Sequence, residues 1–258
     1  MWVDVEETFR SSVLRIVGEE ARPWLAGLPR LAAEICESWQ LDPGQELRGG
    51  LLALVRLVRR ADGSEAVLKI AGPWDRPADE IASLRVWNGD PAPQLLEADV
   101  AQGAILLERI VPGTKAADTS AADVARLLGR LHVPAPARLP PLREIVNRRI
   151  DRAEQEERAS PQRLAWAREA LERLEADPPE PVLVHGDLDE RNLLVCDRRG
   201  LCAIDPLACA GDGAYDAAYW IHANRRRGRR ARFEAMATAA GLDGRRLRDW
   251  CGIIAVHG

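Results

Sequence analysis

Between Val184 and Leu207 the chain reads His185-Gly186-Asp187-Leu188-Asp189-Glu190-Arg191-Asn192, then an apolar stretch, a turn, a second apolar stretch and Ile204-Asp205-Pro206. Asp187 and Asn192 stand five residues apart, and Asp205 follows on the far side of what reads as a small hairpin. These residue types suit one chemistry. The first aspartate would accept the proton of an attacking hydroxyl, while the asparagine oxygen and the second carboxylate would hold magnesium, a hard cation that takes its remaining ligands from phosphate and water. The five-residue interval is that of a phosphoryl-transfer catalytic loop. Taken singly, Asp and Asn are ordinary turn formers and His185 an ordinary hydrogen-bonding histidine. The set gains meaning from its order after a strand and around a hairpin.

Phosphoryl transfer also needs positive charge on the donor phosphates, and the upstream half offers one candidate. Of 36 basic residues only Lys69 and Lys115 are lysines. Lys69 sits in Val67-Leu68-Lys69-Ile70, where a compact ammonium inside an apolar strand fits the strand lysine that holds the α and β phosphates. Glu80, on the short helix expected next, is the partner that would fix it, with Asp79 as its neighbour. Gly49-Gly50 would let backbone N–H groups approach the triphosphate, although the GxGxxG spacing is absent. The segment Leu106-Leu107-Glu108-Arg109-Ile110 reads as a connector whose backbone, at Glu108 and Ile110, would meet adenine.

These residues need a scaffold, and the rest of the sequence outlines it. A chain of 258 residues, 47% hydrophobic and 29% charged, is a globular protein of bilobed size. A net charge of −4 gives no general pull on nucleic acid. No apolar run is long enough to cross a membrane, and the acidic N-terminus does not read as an export signal, so a cytoplasmic site is expected. Five cysteines without CxxC spacing read as buried, reduced thiols.

The first block, to about Trp39, is helical, with Pro29 expected to kink or restart it. Leu51–Arg59 and Ala66–Ile70 form a hairpin about Ala61-Asp62-Gly63. A short helix follows over Asp79–Trp87, then a strand over Ala104–Glu108. Beyond the connector the pattern is mainly helical, with N-caps at Ser120 and Ser160. The polar loop interrupts it between Val182–Val184 and the hairpin Leu193–Cys196 and Leu201–Ile204. The expected fold is therefore α+β, with a lobe over residues 1–110 carrying an antiparallel sheet and a helical lobe over 111–258 carrying the loop. Asp212 and Asp216 read first as helix caps. The arginine run from Arg225 to Arg232 reads as a solvated face.

With HGDLDERN, the AIDP strand end, Gly211 to Asp216, VLKI and LLERIVPG in this order, the chain resembles the aminoglycoside phosphotransferase family, in the branch of streptomycin 6-phosphotransferases and hydroxyurea kinases. The resemblance covers nearly the whole chain. It implies a protein-kinase-like fold, ATP and Mg²⁺, and phosphorylation of a small-molecule hydroxyl, most simply that of an aminoglycoside such as streptomycin. Position by position, it implies Asp187 as base, Asn192 and Asp205 as metal ligands, and Lys69 with Glu80 as the phosphate anchor. A cationic acceptor would call for acidic residues around it, for which Asp189, Glu190 and Asp212 are candidates. Position 189 departs from the branch, where many members carry His. Relatives also usually continue through another helix beyond the counterpart of Trp250; without it the acceptor wall would be trimmed, which fits either a compact member or a shortened chain. Hydroxyurea, an amino sugar or a choline-like alcohol are the alternative acceptors, and a nucleotide-binding protein without turnover is the alternative function. A peptide substrate does not fit, because DFG, APE and a long activation segment are all missing. A monomer or homodimer is expected, with neither nucleic acid nor membrane as partner.

Overall fold

The computed structural model describes residues 5–47, 52–116, 118–223 and 228–257. The chain divides into two compact units, Met1–Gly89 with Pro93–Arg109, and Asp90–Ala92 with Ile110–Gly258.

The first unit opens with α1 (Glu7–Ile16) and α2 (Arg22–Ser38). The helix does not restart at Pro29, and α2 runs through it. Pro29 lies on the stripe that also buries Leu25, Leu28, Ala32 and Ile35, and that burial offsets the lost hydrogen bond. Strands β1 (Leu41–Glu46), β2 (Ala53–Arg60) and β3 (Glu65–Ala71) follow. After α3 (Pro77–Trp87) come β4 (Leu95–Asp99) and β5 (Ala104–Glu108). The five strands form an antiparallel sheet in the order β1-β2-β3-β5-β4. The sequence reading missed both edges. In β1, Asp42-Pro43-Gly44 carries turn residues, which are tolerated because an edge strand need not offer every N–H and because the pairing is irregular between Pro43 and Glu46.

Alternation places Leu68 and Ile70 in a core with Leu54, Val58, Ala104 and Leu106, packed under α1 and α2 through Phe9, Val13, Leu25 and Leu28. Lys69 falls between them in central strand β3, paired with Val55 on one side and Ile105 on the other.

The second unit contains β6 (Pro112–Lys115), α4 (Ala121–Leu131), α5 (Leu142–Gln155), α6 (Pro161–Ala176) and β7 (Val182–Val184). The polar loop leads into β8 (Leu193–Cys196), β9 (Gly200–Ala203) and β10 (Cys209–Gly211), then α7 (Ala214–Ala223), α8 (Arg229–Ala240) and α9 (Gly244–His257). Ser120 and Ser160 cap α4 and α6 as the sequence suggested, accepting from the N–H of Asp123 (3.1 Å) and Arg163 (3.4 Å). Strands β6, β8 and β9 form one small sheet, and β7 and β10 another. Beyond the connector, β6 was not foreseen, since Pro112-Gly113 reads as a turn.

The arginine run is not a uniformly solvated face. Arg225, Arg226 and Arg227 lie outside the described residues, whereas Arg232 is buried over the Trp220 ring and donates to the Trp220 carbonyl at 3.4 Å. Four cysteines are buried, as expected, while Cys251 is half-buried with its thiol pushed up to about 11 by burial.

Candidate active site

Each unit holds some of the residues singled out in the sequence. In the first, the Lys69 ammonium donates to both carboxylate oxygens of Glu80, at 2.9 and 2.7 Å, and both residues are buried. Strand β3 delivers the lysine and α3 the glutamate, 11 residues apart in sequence. Asp79, the neighbour, turns instead to Arg76 at 2.7 Å. Glu108 ends β5, and its carboxylate accepts from the Gln94 N–H at 3.1 Å. Ile110, in the second unit, is buried with Cys196 and Cys202. Gly49 and Gly50 lie outside the described residues.

In the second unit, β7 runs straight into the loop. Gly186 has φ +80°, and a Cβ there would also stand 3.2 Å from Leu207, so glycine suits the turn on two counts. The turn is held from beneath by Asp216 in the first turn of α7. Its fully buried carboxylate accepts from the N–H groups of His185 and Gly186, each at 2.9 Å, and contacts His132 Nε2 at 3.0 Å. Burial raises the pKa of Asp216, but the His132 hydrogen bond, the His132 and His185 rings and the Gly186 N–H outweigh it, so the group sits below the usual carboxylate range. Asp216 thus anchors the loop. His185 completes the brace through its ring contact with the Ile204 carbonyl at 3.0 Å.

Asp187 then stands on the loop, and Asn192 turns back to it. The Asn192 amide nitrogen donates to the Asp187 carbonyl at 2.9 Å and to its carboxylate at 3.1 Å. That engages the amide nitrogen and leaves Oδ1 as the atom for a cation. The hairpin brings the second oxygen donor alongside: Leu193 pairs with Ala203, and the Ile204 N–H donates to the Asn192 carbonyl at 2.9 Å, one residue before Asp205. Asp205 has φ +60°, a left-handed conformation an aspartate tolerates at a functional turn. Among the described residues no three His, Cys, Asp or Glu side chains gather to hold a metal. An amide oxygen and one carboxylate are nevertheless a fitting pair for magnesium that also binds phosphate.

The three acidic residues considered for the acceptor fare differently. Asp189 is 4% exposed, and its carboxylate accepts from the N–H groups of Arg191 (2.7 Å) and Asn192 (3.3 Å) and from Arg191 Nε (2.8 Å). It is therefore the cap of the short turn Glu190–Asn192. Asp189→Ala should lower stability by about 1–2 kcal/mol, as read from the urea midpoint, because two N–H groups and Arg191 lose their acceptor together. Asp212 caps α7 through the Ala214 N–H (2.9 Å) and binds Arg246 Nε and Trp250 Nε1, each at 2.5 Å. Glu190 keeps one buried carboxylate oxygen without a hydrogen-bond partner.

Two residues beside Asp187 escaped the sequence reading. Arg149 of α5 reaches the Asp187 carboxylate at 3.4 Å, and Tyr219 of α7 is the second, its hydroxyl pushed up by burial and by the Asp187 charge. Arg149 had a legible signal. It follows Ile145 by four and Val146 by three residues, so it lies on the buried stripe of α5, where an arginine needs a reason.

A two-strand-edged antiparallel sheet bearing a buried Lys–Glu pair, followed by a helical unit bearing this loop, defines a kinase-like phosphotransferase of small molecules. The comparisons agree. The sequence pattern of the aminoglycoside/hydroxyurea antibiotic resistance kinases matches residues 38–257, and the chain belongs to that family. It is 34% identical to a streptomycin 6-kinase of Streptomyces griseus, over 96% of this chain and 87% of the relative. It is 36% identical to a hydroxyurea phosphotransferase of Kitasatospora aureofaciens, over 92% and 74%. Among solved structures, a choline/ethanolamine kinase family protein of Mesorhizobium loti shares the fold, with TM-score 0.65 and 19% identity over 88% of this chain and 83% of that one. The protein is thus a small-molecule kinase of the antibiotic-resistance type. Among the described residues no helix is long and apolar enough to cross a membrane.

Proposed function

We propose that the chain transfers the γ-phosphate of Mg-ATP to a hydroxyl of an antibiotic in the cytoplasm, with Asp187 as the base. The observation that carries this is the turn of Asn192 onto Asp187, whose two hydrogen bonds orient the carboxylate and leave the amide oxygen for a cation. Asp187 would accept the proton of the attacking hydroxyl at its carboxylate. Asn192 Oδ1 and Asp205 would hold magnesium, which when bound neutralises charge on the phosphates. Lys69, kept in place by Glu80, would take the donor phosphates, and the connector backbone at Glu108 and Ile110 would meet adenine. Fixed donors and charges of this kind are the main resource available to a protein in phosphoryl transfer.

Streptomycin is the first acceptor to test, given the relatives' names. Hydroxyurea is a second reading, favoured by the Arg149 guanidinium beside Asp187 and by the internal engagement of Asp189 and Asp212. ADP release from Mg-ATP should be measured over streptomycin, other aminoglycosides, hydroxyurea, amino sugars and choline. Turnover on a hydroxyl acceptor supports the proposal; ATP binding with no turnover on any of them overturns it.

A further inference from the structure

The Asp187 carboxylate shares its surroundings with a fixed positive charge. Arg149 Nη1 donates to the Tyr215 hydroxyl at 2.5 Å, Nη2 lies 3.4 Å from Asp187 Oδ1, and the guanidinium stacks over the Tyr219 ring with 5.0 Å to its centroid. Tyr215 is itself fully buried and packs edge-on against Trp250, with centroids 5.2 Å apart and planes at 86°. The arginine is therefore held from α7 as well as from the loop and cannot swing away without breaking several contacts. Burial opposes its charge, but the Tyr215, Tyr219 and Asp187 oxygens more than offset that. Its side chain is still 21% exposed, so it presents charge to whatever approaches Asp187.

The Asp187 carboxylate at 3.4 Å is the direct counter-charge of Arg149, and other ionisable groups stand around the pair. Burial, with Arg149 as the leading charge, pushes His257 down to about 3, so that ring is neutral at pH 7. Arg191 adds a second positive charge to the field of Asp187, itself paired to Asp189. Asp212 faces Arg246 and Trp250, and Asp216 faces His132.

We propose that Arg149 is a specificity-determining residue that keeps cationic groups away from the position next to the reacting hydroxyl, so that the acceptor edge delivered to Asp187 is uncharged or anionic. This rests on Asp187 being the base. A unit positive charge about 5 Å from a guanidinium in a partly buried site binds on the order of 10- to 100-fold less tightly than a neutral group there. Every hydroxyl flanked by a guanidinium or ammonium meets that cost, whereas hydroxyurea does not.

The test compares kcat/KM for streptomycin and hydroxyurea in the wild type, Arg149→Met and Arg149→Lys, with Mg-ATP throughout. Methionine keeps the length and removes the charge, and lysine keeps the charge but not the planar fork. The ratio of the two kcat/KM values cancels any effect on ATP or on the base. Arg149→Met is expected to move that ratio toward streptomycin by 10- to 100-fold, and Arg149→Lys by less than threefold. A ratio unchanged in Arg149→Met overturns the proposal and leaves Arg149 a purely structural partner of Tyr215. Wild-type calorimetry of both compounds with a non-hydrolysable ATP analogue decides the matter if Arg149→Met does not fold or no acceptor turns over. Streptomycin binding that strengthens as salt rises from 50 to 500 mM, with hydroxyurea unaffected, supports the proposal, because screening relieves repulsion. Streptomycin binding that weakens with salt or stays flat, or no binding of either compound, overturns it. Absence of turnover with salt-strengthened binding would count against the base assignment and not against Arg149.

Discussion

Asp187→Asn is expected to lower kcat by about 10²- to 10⁴-fold, the range a positioned general base contributes, while leaving ATP affinity unchanged. Asparagine has the same shape and can still accept from Asn192, which reaches both the carbonyl and the side chain of residue 187. The loop should therefore keep its conformation, because its anchors at Gly186, His185 and Asp189 do not involve the 187 side chain. What is lost is a carboxylate able to take a proton. Stopped-time ADP release gives kcat, and a fluorescent nucleotide titration gives affinity. A loss below tenfold with affinity intact would show that the hydroxyl needs no carboxylate at this position. A parallel loss of affinity would instead place Asp187 among the groups that hold the nucleotide.

The second large effect falls on stability. Asp216→Ala removes one buried carboxylate that serves two main-chain N–H groups and His132. Breaking a buried charged hydrogen-bond network costs about 3–5 kcal/mol, since the former partners stay buried without an acceptor. For a chain of this size that corresponds to a fall in Tm on the order of 10 °C. Turnover should fall as well, because the N–H groups released are those that fix the approach to Asp187. Asp216→Asn keeps one acceptor oxygen and should lose less on both counts. The sign of the pH effect follows from the lowered pKa of Asp216. Its contribution is fully present above the unfolded carboxyl value near 3.9 and is lost as pH falls through the lower folded value. Thermal unfolding followed from pH 6 down to pH 3 should accordingly show a shallower acid limb in Asp216→Asn than in the wild type. Identical acid limbs would mean that other carboxylates govern acid unfolding.

The loop residues were legible because their chemistry is local. Asp187, Asn192 and Asp205 are separated by one turn and one hairpin, so short-range spacing alone carries them to neighbouring positions, and the Leu193–Ala203 pairing reproduces that register. Lys69 was legible for a related reason, being polar where strand alternation calls for apolar neighbours, and the following helix had few acidic residues to partner it. The central strands and capped helices were likewise written in periodicity and in Ser120 and Ser160. The edges were not. Strand β1 contains Asp42-Pro43-Gly44 and β6 contains Pro112-Gly113, turn residues that become strand only because a neighbouring strand supplies the partner.

Within the candidate site, sequence determined which carboxylates, amide and ammonium were available. Tertiary structure decided how the remaining charges were used. Asp189, a candidate for the acceptor, is also a turn cap; Asp212 caps α7 as first read and in addition ties α7 to α9, while Asp216, read as a cap, anchors the loop. Arg149, 38 residues ahead of Asp187, became its neighbour. A carboxylate or guanidinium has no intrinsic preference among such roles. Its partner is set by which buried donors or acceptors lie within reach, and those come from helices distant in sequence, whose meeting depends on packing of the whole unit.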